Sequence, residues 1–73
     1  MQTPTIHITK ISDRKSTMSA ITVHVGTLVV ATRLLGGDYN EAQARKDFVL
    51  NWRSWKLRLP HMAKSVREAM LKQ

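Results

Sequence analysis

MSAITVHVGTLVVATRLLGG, residues 18–37, is the stretch whose reading decides the fold. Ile21, Val23 and Val25 alternate with Thr22 and His24, which is the period of a half-buried strand. The β-branched residues favour the same state. Gly26-Thr27 breaks the alternation. Beyond it Leu28, Ala31 and Leu35 recur at helical spacing, with Thr27 as a plausible N-cap and Gly36-Gly37 as a C-terminal stop. The spacing therefore predicts a strand over 20–25 and a helix over 28–35. The alternative is one helix from Met18 to Leu35. It ranks lower, because its apolar residues would spread around the whole circumference and many are β-branched.

Towards the N-terminus, Thr5 to Ile11 alternates, with Ile6 and Ile8 on one side and Thr5, His7 and Thr9 on the other. This run and 20–25 predict an antiparallel hairpin with a loose connection. Residues 1–4 and 12–18 are expected to be flexible.

Towards the C-terminus, Asp38-Tyr39-Asn40-Glu41 reads as a capping box that opens a helix at Asp38. Ala44, Phe48 and Trp52 then mark its apolar face, with Val49 beside them. Trp55, Leu57 and Leu59 alternate with Lys56 and Arg58, so this stretch reads as a short strand or an ordered linker. Pro60 suits the first turn of a last helix. Its stripe is Met62, Ala63, Val66, Ala69 and Met70. The sum is an α+β fold, a single domain over 1–73, with an N-terminal β-hairpin packed on two or three helices.

The 73 residues contain no cysteine, which closes the disulfide route and points to a reducing, cytoplasmic setting. A structural zinc lacks thiolates, and His7, His24 and His61 are isolated in sequence, so neither metal nor cofactor is expected. His7 and His24 could still meet across the hairpin. At 42% hydrophobic the chain is too apolar for a disordered basic tail. Met1-Gln2-Thr3-Pro4 lacks the basic start of a signal peptide. The uncharged run from Ser16 to Thr32 is too interrupted by Ser, Thr and His to span a membrane.

Charge is the main functional signal. From Arg45 onward, eight basic residues face two acidic ones and leave +6 of the chain's net +7. Such a surface attracts polyanions. Arg45, Lys46, Arg53, Trp55, Lys56, Arg58, Lys64 and Arg67 are the candidate contacts with nucleic acid or a partner. Within 52–58, cations interleave with two tryptophans, a pattern suited to phosphates and stacked bases. Trp52 continues the Ala44–Phe48 face and is assigned to the core. Trp55 stands where the helix should end, and both core and contact are open to it.

A helix-turn-helix around Gly36-Gly37, with Asn40 and Gln43 as base readers, fits less well. Asp38 and Glu41 would repel phosphates, and Arg45 or Lys46 would fall where an apolar residue belongs. Catalysis is not expected. Asp38, Glu41 and Asp47 read as a cap and solvated helix charges, and no glycine loop cradles a phosphate.

A tiny, cysteine-free, strongly basic chain of this kind, with Arg53, Lys56 and Arg58 beside Trp55, resembles the small lytic-phage regulators of bacterial RNA polymerase, of the Xanthomonas phage antiterminator type. The resemblance covers the whole chain in character and assigns no individual residue a role. It implies binding to bacterial RNA polymerase, interference with initiation, and altered termination. The alternative expectation is a direct DNA- or RNA-binding protein.

Overall fold

The computed structural model describes residues 3–72. Four antiparallel strands form one sheet in chain order: β1 (Thr5–Ser12), β2 (Thr17–Val25), β3 (Leu28–Gly36) and β4 (Lys56–Leu57). Two helices, α1 (Glu41–Asn51) and α2 (Pro60–Leu71), complete an α+β fold, with a 3₁₀ turn at Trp52–Ser54. The N-terminal hairpin, the short strand after Trp55, and the proline-initiated last helix all form as the sequence indicates.

The predicted helix over 28–35 does not form. This segment is β3, so the described residues hold two α-helices, and the N-terminal hairpin is extended into a three-stranded meander. Gly26 takes φ +61°, and among the described residues no non-glycine has positive φ. A glycine at the first of two loop positions is the signature of a type II′ hairpin turn. Val25 and Leu28 thus pair directly across Gly26-Thr27. Leu28, placed on the apolar face by the helical reading, is 51% exposed. Gly36-Gly37 closes a strand and caps no helix. Gly37, at φ +110°, lets the chain leave the sheet.

Residues paired across antiparallel strands share a face. One face gathers Ile6 and Ile8 from β1, Ser19, Ile21 and Val23 from β2, Ala31, Arg33 and Leu35 from β3, and Leu57 from β4. Both helices cover it. The register shifts between Val23 and His24 and leaves Val30 without a partner on β2. This bulge turns the adjacent Val30 and Ala31 both inward, each at 0% exposure. The Val30 carbonyl accepts the N–H groups of Arg58 (2.8 Å) and Leu59 (3.1 Å), which ties the start of α2 to the sheet.

From α1 come Ala44 and Phe48, and from α2 Ala63, Val66 and Met70, all buried against the strands. The α1 cap sits two residues later than the sequence suggests. Asn40 is the N-cap, and its side chain exchanges hydrogen bonds with Gln43 in a capping box. Asp38 instead pairs with Lys10. The segment before the helix is fixed by Ser19, which is fully buried. Its hydroxyl donates to the Gly37 carbonyl (2.9 Å) and accepts from the Tyr39 N–H (3.1 Å).

The connection between β1 and β2 is tight, not loose. Both Thr17 and Met18 belong to β2, and Ser12 pairs with Thr17. Asp13 Oδ1 accepts the N–H groups of Lys15 and Ser16, each at 2.9 Å. Of residues 1–4, the first two lie outside the described residues, and Pro4 is buried.

Asp47, read from sequence as a solvated helix charge, is half-buried. Its Oδ2 accepts from Arg33 Nη1 (3.0 Å) and Trp55 Nε1 (2.8 Å), and its Oδ1 from Asn51 (3.1 Å). One carboxylate joins β3, α1 and the end of the 3₁₀ turn.

Two predictions follow from these contacts. Asp47→Ala leaves the Arg33 charge and the Trp55 N–H without their acceptor, and should cost about 2–3 kcal/mol. In a chain of this size that lowers Tm by roughly 10 °C or more. Asp47→Asn keeps one acceptor and should cost less. A thermal melt of the Ala variant indistinguishable from the parent would refute the assignment.

The second concerns acid. The Lys15 and Ser16 N–H groups hold the Asp13 carboxyl below its ordinary value of 3.8. A depressed folded-state value means that the turn is stabilised above 3.8 and loses this contribution as pH falls through the lower value. In an NMR titration the amides of Lys15 and Ser16 should move with a midpoint below 3.8. A midpoint at or above that value would show the turn to be open.

Candidate nucleic-acid interface

Helix α1 stops at Asn51, and the chain reverses through the 3₁₀ turn before entering β4. This reversal separates the two tryptophans. Trp55 goes inward: it is 4% exposed and meets Phe48 edge-to-face, with ring centroids 5.1 Å apart. Such a pair adds about 0.5–1.5 kcal/mol beyond area burial. Trp52, just past the last helical residue, is left half-buried at the surface. The assignment of Trp52 to the Ala44–Phe48 face holds in part: it packs against the edge of the core and is half-buried there. Trp55 belongs to that core and has no surface to offer a partner.

Between the end of α1, the 3₁₀ turn and α2 lies a cleft of about 440 Å³. Its chemistry comes from Trp52, Arg53, Lys64 and Arg67, with Asn51 and Ser54 as neutral polar groups. No carboxylate lines it among the described residues. Arg53 and Lys64 are exposed, and Arg67 is half-buried. The Arg53 guanidinium lies 5.2 Å from the centre of the Trp52 ring, within cation–π range. Arg67 Nε donates to the Val49 carbonyl at 2.7 Å. This answers the negative end of the α1 dipole, which has no basic residue of its own in the last turn. It also fixes the Arg67 side chain, whose Nη groups remain for other acceptors.

Three of the candidate cations, Arg53, Lys64 and Arg67, are therefore brought together. The others are not. Arg45 is paired with Glu41 one helical turn away, at 2.9 Å. Lys46 lies elsewhere on α1, near Tyr39 and Gln43. Lys56 pairs with Thr32 and points to the opposite side of the sheet. Arg58 is exposed after β4, and only its backbone makes a described bond. Among the described residues, Lys46, Arg53, Lys56, Arg58, Lys64 and Arg67 have no carboxylate within ion-pair distance.

The sheet face away from the helices is uncovered. Thr22, Thr32, Leu34 and Lys56 line a shallow depression there, and Leu34 and Ile11 are 56% and 52% exposed. His7 and His24 meet on this face with ring centroids 4.5 Å apart. Among the described residues no set of three His, Cys, Asp or Glu side chains is placed to hold a metal ion. No helix there is long and apolar enough to cross a membrane.

Trp52 is the cleft residue that sequence reasoning missed. The count from Ala44 and Phe48 holds as far as Trp52, whose backbone is still helical at φ −57° and ψ −27°, but it does not show that the outer part of the ring borders a cleft. Comparison with protein-family models, with curated proteins and with solved structures finds no match. The site must be read from its own chemistry.

A quenching experiment tests the arrangement of the tryptophans. Trp52 stands in a positive field, which concentrates anions. Iodide should therefore quench its fluorescence more strongly than caesium, while Trp55 stays shielded from both. Trp52→Phe should remove the quenchable component. Equal access of both ions to the parent protein would contradict the positive cleft.

Proposed function

We propose that the chain is a non-enzymatic regulator of the phage type, which binds bacterial RNA polymerase in the host cytoplasm and sets its basic cleft against nucleic acid there. The observation that carries this reading is the division of the surface. The helical side holds Arg53, Lys64 and Arg67 around one cleft. The open sheet face carries exposed Leu34 and Ile11 and no acidic residue on β1, β2, β3 or β4. A weakly charged patch with apolar side chains suits a protein contact. A cluster of cations suits phosphates. A machine that presents protein and nucleic acid together would engage both. The choice of polymerase among such machines rests on the resemblance in size, charge and composition.

A second reading, direct binding to free DNA or RNA, is favoured by the half-buried Trp52 beside the cations. Its helix-turn-helix form is lost, because the residues of the first helix are β3.

The test is retention of partners from bacterial lysate on the immobilised chain, with and without nuclease, at moderate salt. The expected outcome is that polymerase subunits stay after nuclease treatment. Leu34→Glu combined with Lys56→Glu on the open face should remove them while leaving the thermal melt unchanged. Loss of every partner on nuclease treatment would instead make nucleic acid the direct ligand. A doubly substituted chain that is folded and retains polymerase fully would exclude the open face.

A further inference from the structure

We propose that the cleft between the 3₁₀ turn and α2 takes single-stranded nucleic acid, with one backbone phosphate held by Lys64 and Arg67 and one base stacked on Trp52. This rests on the reading of the basic side as the one that meets nucleic acid, and names the form of it.

The cations come first. Lys64 and Arg67 are three apart on α2, so they share a face. Because Arg67 Nε is already bonded to Val49, the guanidinium is oriented before any ligand arrives. A pre-set fork of N–H donors is the arrangement that recognises phosphate oxygens. With no opposing carboxylate in the lining, a phosphate displaces no internal ion pair.

The aromatic ring comes second. A basic groove next to an exposed aromatic face is the shared device of single-strand binders, because every base has a face to stack. Arg53 occupies the Trp52 ring in the free protein. When it swings to a phosphate, the ring is left to a base, and the contact it gives up is replaced by a charge-assisted one. Asn51 has its amide nitrogen committed to Asp47, which leaves its Oδ1 to accept from a base N–H, such as the N3–H of thymine. Ser54 adds a hydroxyl on the same rim.

Shape selects the strand form. Duplex readers push a helix or ribbon into a groove. Here the cations and the indole line a recess, and paired bases stacked inside a duplex cannot reach its wall. A volume of about 440 Å³ is at the lower end of ligand clefts and suits one nucleotide.

The experiment uses the full chain and a labelled oligothymidylate of about 12 nucleotides, within the span of known single-strand sites. A duplex of equal length is compared at two salt concentrations. Anisotropy and tryptophan fluorescence are read together. The expected result is tighter binding of the single strand by about tenfold, with quenching of Trp52. Trp52→Leu should weaken single-strand binding by about tenfold, as for loss of one stacked base, and leave duplex binding unchanged. Since Trp52 is half-buried, its melt is checked, and the exposed Lys64→Glu serves as a second variant that should lower affinity and flatten the salt dependence. Equal or tighter duplex binding, indifferent to Trp52→Leu, would overturn the proposal while leaving a nucleic-acid-facing surface intact. Absence of binding to either form would overturn it too. Polymerase retention after nuclease would then still decide the regulator reading separately.

Discussion

The Asp47 carboxylate is the junction on which the rest of the molecule depends. Its three donors come from three different elements: Arg33 from the sheet, Asn51 from α1, and Trp55 from the end of the 3₁₀ turn. Arg33 faces the helices from a central strand, where an unpaired guanidinium would be costly to desolvate. Trp55 can bury its ring against Phe48 only if its N–H finds an acceptor. One side chain meets both needs, and so holds the end of α1 and the chain reversal against the sheet. The position of Trp52 at the cleft follows from the burial of Trp55.

Much of the fold was legible from residue pattern. Period-two alternation marked β1 and β2, Pro60 marked the start of α2, and Met62 to Met70 marked its buried stripe. The failure lay in 28–35. Leu28, Ala31 and Leu35 happen to fall at helical spacing, and the bulge at Val30 breaks the alternation that a strand would show. The turn itself held the better signal, since Gly26-Thr27 stands between VHV and LVV, and a glycine in the first of two loop positions favours a hairpin. Of the site, the cation-rich segment was visible, but which cations meet was not. Arg53, Lys64 and Arg67 converge only because α2 returns beside the end of α1, and that is tertiary information.

The same return settles an electrostatic problem local to α1. The helix ends without a basic residue in its last turn, and the cation it lacks arrives from α2 as Arg67. The residue that completes the helix therefore also supplies charge to the cleft. With the sheet covered on one side only, Arg53, Lys64 and Arg67 gather on the helical side, while the open face carries Lys56 and no acidic strand residue.

The bulged Val30 carbonyl ties the register of the β2–β3 hairpin to the docking of α2. It receives both N–H groups that lead into α2, and it is turned outward from β2 only when Val23 faces Ala31 and His24 faces Val29. A hairpin slipped by one residue would move its apolar set to the wrong face and withdraw that acceptor. The C-terminal third can then dock only on a correctly registered β2–β3 pair. The register of a turn in the first half of the chain is thus coupled, through one carbonyl, to the anchoring of its last helix.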